Sequence, residues 1–106
     1  MDFDHINSLI PFYENLLTER QKEIIKYYYY EDLSLTEIAE NLDISRNAVY
    51  DTIRKTRGIL EEYESKLHLK KDSQERLAKY SELSEHCDGE GKDILQELII
   101  KEEKYD

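Results

Sequence analysis

The 106-residue sequence has one cysteine, one proline, three glycines and no tryptophan. The lone Cys87 cannot form an intramolecular disulfide, so a disulfide-stapled scaffold is excluded. So few glycines and prolines supply too few tight turns for a sandwich or barrel. No apolar run reaches the length of a signal peptide or a membrane span, and a reducing, cytoplasmic location is the default expectation. Positive charge is scarce too: 15 Lys and Arg stand against 25 Asp and Glu, for a net charge of −10. Non-specific affinity for nucleic acid comes mostly from Lys and Arg displacing counterions on phosphates. Any nucleic-acid contact must therefore be local, on a patch where positive charge gathers.

What remains is 39% hydrophobic and 38% charged, the balance of amphipathic helices with one buried stripe each. The expected fold is all-α, a compact helical protein whose length suits one domain with a helical extension. Ile6, Leu9, Ile10, Tyr13, Leu16 and Leu17 share a face of a first helix over about residues 5–17. Pro11 leaves two alternatives. Either the helix starts late, capped by Asn7 or Ser8 with Pro11 in its first turn, or it kinks at Pro11. Thr18 and Gln21 form a capping box that opens a second helix, with Gln21, Ile24, Ile25 and Tyr28 on one face. The run Tyr27 to Tyr30 covers every side of a helix, so it divides between core and interface.

Ser34 and Glu37 form a second capping box, and a short helix runs to about Leu42. Asp43 and Ile44 make a corner, and Ser45 caps the next helix. In that long fourth helix Val49, Ile53, Thr56, Leu60, Tyr63 and Leu67 make a heptad-like seam. Asp72 and Glu75 are expected to cap a fifth helix with Leu77, Tyr80, Leu83 and Cys87 on its buried side. A break at 88–91 precedes a final helix carrying Ile94, Leu95, Leu98 and Ile99. The division expected is a helix-turn-helix domain over 1–70, with its motif at 34–57, and a C-terminal helical hairpin over 71–106 for packing or oligomerisation.

The stretch SLTEIAENLDISRNAVYDTIRKTR reads as a helix-turn-helix. Two helices crossing at a steep angle need a small residue at their closest approach, and Ala39 supplies it. Ile38, Leu42, Ile44, Val49 and Ile53 point inward. Asp43 stands where glycine is common, and Asp tolerates the left-handed conformation better than most residues. The outward face of the second helix then holds Ser45, Arg46, Asn47, Tyr50, Asp51 and Arg54. Early residues of such a helix reach base edges in the major groove. Arg46 suits guanine and Asn47 adenine, while Arg54, Lys55 and Arg57 fall near phosphates. Residues 45–57 hold four basic residues and one acidic one, the clearest basic cluster of the chain.

Other signals carry less. His86 adjoins Cys87, but zinc needs about four ligands in a set spacing, and the glycines of DGEGKDILQE sit at the wrong offset for a calcium loop. No metal or other cofactor is expected. No glycine-rich phosphate loop, nucleophile elbow or metalloprotease motif appears, so enzymatic activity is not expected.

The run FYENLLTERQKEIIKYYYYEDLSLTEIAENLDISRNAVYDTIRKTRGILEEYESKLHL closely resembles the YlxM family of small bacterial proteins, with the likeness extending over residues 3 to about 70. Pro11 stands where that family more often has an aromatic or aliphatic residue. The resemblance implies a helix-turn-helix similar to region 4 of sigma-70 factors and a DNA-binding or regulatory role. It also implies a link to the signal recognition particle, through the genes that neighbour the family's own. Two functions follow. One is a regulator that binds DNA, or RNA, through Ser45, Arg46, Asn47, Tyr50, Arg54, Lys55 and Arg57. The other is an adaptor whose acidic surface meets components of the signal recognition particle. The apolar stripe beyond the motif must pack on the N-terminal helices, on the C-terminal hairpin or on a second subunit. A homodimer through the second half of the fourth helix and the C-terminal helices is expected.

Overall fold

The structure is a computed structural model that describes residues 3–104. Its regular elements are α1 (Phe3–Tyr13), a single 3-10 turn (Glu14–Leu16), α2 (Glu19–Tyr29), α3 (Leu35–Leu42), α4 (Arg46–Leu67), α5 (Leu69–Ser84) and α6 (Gly89–Glu103). No strand occurs among the described residues, so the fold is all-α. No helix among them is long and apolar enough to cross a membrane.

Local chemistry sets the starts of α2, α3 and α4. Thr18 and Gln21 exchange the two bonds of a capping box, at 3.0 and 3.1 Å. Ser34 and Glu37 do the same at the head of α3. Of the two alternatives read from Pro11, the late start fails. The helix already runs at Phe3 and carries Pro11 near its end, then tightens into the 3-10 turn. Proline lacks the N–H that would bond back to residue 7 and crowds that carbonyl. The damage is least near a helix end, where few intrahelical bonds remain to lose. Ser8 caps nothing; its hydroxyl donates to the His5 carbonyl at 2.6 Å.

The core lies among α1 to α4. Ile6, Leu9, Ile10, Tyr13, Ile24, Ile25, Ile38, Val49 and Leu60 are fully enclosed. In the tyrosine run Tyr29, not Tyr28, is the buried member; Tyr27 and Tyr28 are half-buried and Tyr30 is exposed. The seam of α4 is buried at Val49, Ile53, Thr56 and Leu60, half-buried at Tyr63 and open at Leu67.

Beyond Leu67 the chain turns on one residue. His68 is left-handed (φ 56°, ψ 29°), ending α4 and beginning α5. The expectation that Asp72 and Glu75 cap α5 fails, because the helix starts before them. Its start is held from elsewhere. Tyr13 Oη donates to Glu64 Oε1 at 2.5 Å and accepts from the Leu69 N–H at 3.1 Å. The Glu64 carboxylate accepts from the N–H groups of Lys70 and Lys71 at 3.1 and 3.0 Å. A side chain from α1 and one from α4 thus satisfy three free N–H groups of α5, and the Tyr13 ring stacks on Tyr63 at 5.7 Å. Burial pushes the Tyr13 phenol up to about 12, with help from the Glu64 bond. Burial also raises the Glu64 carboxyl, but its bonds from Tyr13, Lys70 and Lys71 outweigh that and leave it below the ordinary value.

α5 and α6 run antiparallel. Ser73, near the start of α5, is buried and donates to Glu102 at 2.7 Å, and Arg76 also pairs with Glu102. Leu95 is the one large apolar residue of the pair that is buried; Leu77, Tyr80 and Cys87 are half-buried. Leu83, expected inside, is 48% exposed, and Ile94 and Leu98 are exposed as well. Two helices offer each other only one line of contact, so the rest of their apolar stripes stays open. The hairpin projects from the bundle. The molecule measures 57 × 25 × 22 Å with a radius of gyration of 17.6 Å, against about 13 Å for a rounded domain of this length.

Glu64→Gln and Tyr13→Phe each strand a donor at the α4–α5 junction. Each should lower stability by about 1–3 kcal/mol in urea unfolding and speed amide exchange at residues 69–71. The two groups limit stability at opposite ends of the pH scale. Glu64, lowered in the native state, contributes above the ordinary value of 4.5, and that contribution goes as pH falls through the lowered value. Tyr13, raised from 10.0 to about 12, contributes below pH 10, and that goes as pH climbs through 12. In Tyr13→Phe the alkaline loss between pH 10 and 12 should shrink.

Candidate nucleic-acid interface

α3 and α4 meet across a corner that each residue type explains. Ile38 and Ala39 are buried, and Leu42 and Ile44 pack half-buried against the core. Asp43 adopts the left-handed conformation (φ 55°, ψ 47°), and its N–H donates to the Ala39 carbonyl. The Ile44 N–H reaches the same oxygen at 3.1 Å. Ser45 Oγ accepts from the Ala48 N–H at 3.0 Å and opens α4. Val49 and Ile53, both buried, then set the rotation of α4 about its axis.

That rotation decides which side chains face out. Arg46, Tyr50 and Arg54 follow one another at four-residue intervals and are all exposed, with Tyr50 53% accessible. Asn47 and Asp51 lie beside them, also exposed, and Lys55 is exposed further round the helix. Arg46, Arg54 and Lys55 enter none of the ion pairs among the described residues. The N-terminal end of the helix adds its own partial positive charge. The ridge can therefore offer guanidinium forks, an amide and an aromatic hydroxyl to a polyanion without first breaking ion pairs.

Two of the sequence-predicted residues sit differently. Ser45 is exposed, but its oxygen is occupied by the cap, so it builds the helix start. Arg57 leaves the group. It is half-buried, its Nε is enclosed without a hydrogen-bond partner, and its charge acts on Tyr29 of α2. Burial raises the Tyr29 phenol and the Arg57 charge works against that rise. Three residues past Arg54, α4 has turned Arg57 toward the bundle. Sequence reasoning that followed only the basic residues missed a second feature. Residues 31–43 hold five acidic residues and no basic one. Glu37, Glu40 and Asp43 are exposed, so an acidic border flanks the basic ridge. Ser34 donates to Glu37 through its backbone N–H, which keeps that carboxyl below its usual value.

A groove of about 550 Å³ between α1 and α5, lined in part by Asn7, Pro11, Tyr30 and Lys70, lies outside this ridge. No group of three or more metal-ligating side chains occurs among the described residues.

Similarity to known proteins extends along nearly the whole chain. The family model described as "Putative helix-turn-helix protein, YlxM / p13 like" matches residues 3–99. The chain belongs to this family, UPF0122. A UPF0122 protein of Pediococcus pentosaceus is 45% identical over 107 residues, covering 95% of each chain. One from Bacillus velezensis is 45% identical over 102 residues, covering 95% of this chain and 93% of the relative. One from Bacillus thuringiensis is 46% identical over 99 residues, covering 88% and 90%. The UPF0122 match includes α6 up to residue 99, beyond the stretch to about residue 70 that carried the resemblance.

The left-handed corner at Asp43 yields a direct test. Glycine adopts that conformation without a Cβ penalty. Asp43→Gly should raise the thermal midpoint, by up to about 1 kcal/mol in stability, whereas the β-branched Asp43→Val should lower it.

Proposed function

We propose that this chain is a non-enzymatic, cytoplasmic regulator that binds DNA through the exposed ridge of α4. The observation that carries the reading is that Arg46, Tyr50 and Arg54 line one open face of α4 in a chain whose 25 Asp and Glu outnumber its 15 Lys and Arg. In this reading α4 enters the major groove. Arg46 reads guanine and Asn47 reads adenine, each good bidentate contact contributing about 1–3 kcal/mol of discrimination. Tyr50 lies between the two arginines against base edges or sugar. Arg54 and Lys55 hold phosphates, and Ser45 positions the helix start. Arg57 positions α4 against Tyr29 and is left out of the phosphate contacts. A helix-turn-helix similar to region 4 of sigma-70 factors, as the family resemblance implies, would use α4 in this way. Residues 1–70 form the binding domain, 71–106 serve packing and oligomerisation, and the active species is a homodimer.

One observation favours a second reading. The acidic border of α3 repels phosphate where the first helix of such a motif usually crosses the DNA backbone. An adaptor would use that border to meet basic surfaces of signal recognition particle components, whether protein or an RNA complex.

Fluorescence anisotropy with duplexes selected from a random pool separates the two. DNA binding predicts affinity that falls steeply with salt. It also predicts that Arg46→Ala and Arg54→Ala each weaken binding about tenfold or more. The log–log salt slope should fall by about 0.9 for each phosphate no longer neutralised. Binding that neither substitution changes would refute the ridge model. Retention of signal recognition particle components by the native chain but not by Glu37→Lys/Glu40→Lys would support the adaptor.

A further inference from the structure

The C-terminal hairpin is incomplete on its own. α6 packs chiefly on α5, and the pair encloses one large apolar side chain, Leu95. Isolated helices of about 15 residues are marginal in water, and most helical stability comes from packing an apolar face. Here Leu83, Ile94 and Leu98 stand 48%, 54% and 41% exposed. Ile94 and Leu98 lie one turn apart on α6, and Leu98 shares a shallow groove with Tyr80 of α5. Their helical phase places all four on one flank of the hairpin.

The charges on the hairpin select what covers that flank. Its outer end, residues 81–97, carries six acidic residues and one basic one; its inner end, 69–80 with 98–104, carries six basic and four acidic. A parallel pairing of two copies sets like charges together. An antiparallel two-fold pairing lays the acidic tip of each hairpin along the basic base of the other. Such a pairing is closed and self-complementary, as an isologous interface must be. We infer that the protein dimerises through this flank, α6 against α6 of a second copy, as an antiparallel four-helix bundle. With Ile94 and Leu98 at its centre, the two-fold axis carries Glu90 beside the partner's Lys101. Helices of 16 and 15 residues give a ridged face roughly 24 by 20 Å, at the small end of specific interfaces. This pairing deepens the homodimer of the proposed function and requires no DNA binding. It places the two helix-turn-helix units at opposite ends of the dimer, so a two-site ligand would be spanned, not gripped within one helical turn of duplex.

Light scattering coupled to size-exclusion chromatography of the full chain tests it. The expected mass is twice 12.7 kDa. Leu98→Asp, at a position exposed in the single chain, should give 12.7 kDa with unchanged helical circular dichroism. Glu90→Lys and Lys101→Glu should each loosen the dimer about tenfold, and mixing the two variants should restore it as a heterodimer. A single-chain mass for the native protein at micromolar concentration overturns the inference. So does a dimer that Leu98→Asp leaves intact, or charge variants that loosen it but do not recover on mixing.

Discussion

The α4–α5 junction depends on one carboxylate. Glu64 lies near the end of a helix whose apolar seam is already fading. It accepts from a tyrosine hydroxyl of α1 and from two backbone N–H groups of α5. A partly buried carboxylate is costly unless its lone pairs are filled. Here the same donors that fill them are N–H groups that would otherwise go unpaired at a helix start. Each side removes the other's desolvation cost, so the direction of α5 follows from where Tyr13 sits in the core. Because Tyr13 is fully buried and stacked on Tyr63, the hairpin's orientation is tied to the same core that sets the rotation of α4.

How much was legible in the residues follows from the range of the interactions. Thr18 with Gln21, Ser34 with Glu37, and Ser45 were readable because each partner lies three residues away. Ile38, Ala39, Val49 and Ile53 were readable because a helix-turn-helix repeats its core spacing. Asp43 was readable because few residue types accept its conformation. The junction was not: Tyr13 and Glu64 are 51 residues apart, and nothing in their local sequence marks either as a cap. Asp72 and Glu75 imitated a start signal inside a helix that had already begun. Leu83 carries the right periodicity for burial, but periodicity names a face without saying whether a neighbour covers it.

The candidate interface shows the same divide. Arg46, Asn47, Tyr50 and Arg54 were placed together by counting along a helix of known phase. Arg57 sits apart from them because 3.6 residues per turn carry it about 60° back from Arg54, toward the core and Tyr29. The acidic border of α3 changes what the basic ridge can do. Long-range attraction between the whole molecule and a polyanion is opposed by the net charge of −10. In the proposed DNA-binding reading, the ridge's attraction acts only within a Debye length, roughly 10 Å. An acidic protein with a small basic face trades capture from a distance for discrimination at close range.

The remote cap of α5 also bears on the order in which the chain takes shape. Helices α2, α3 and α4 each carry an N-terminal signal within their first few residues, so each can begin as soon as its own segment exists. α5 draws its caps from outside its own segment: Glu64 of α4 takes the Lys70 and Lys71 N–H groups, and the Leu69 N–H waits for Tyr13, which requires α1 and α4 to have met. The complete cap of α5 therefore depends on the α1–α4 contact. A surface built on the hairpin has its full set of caps only on a chain in which α1 already packs on α4.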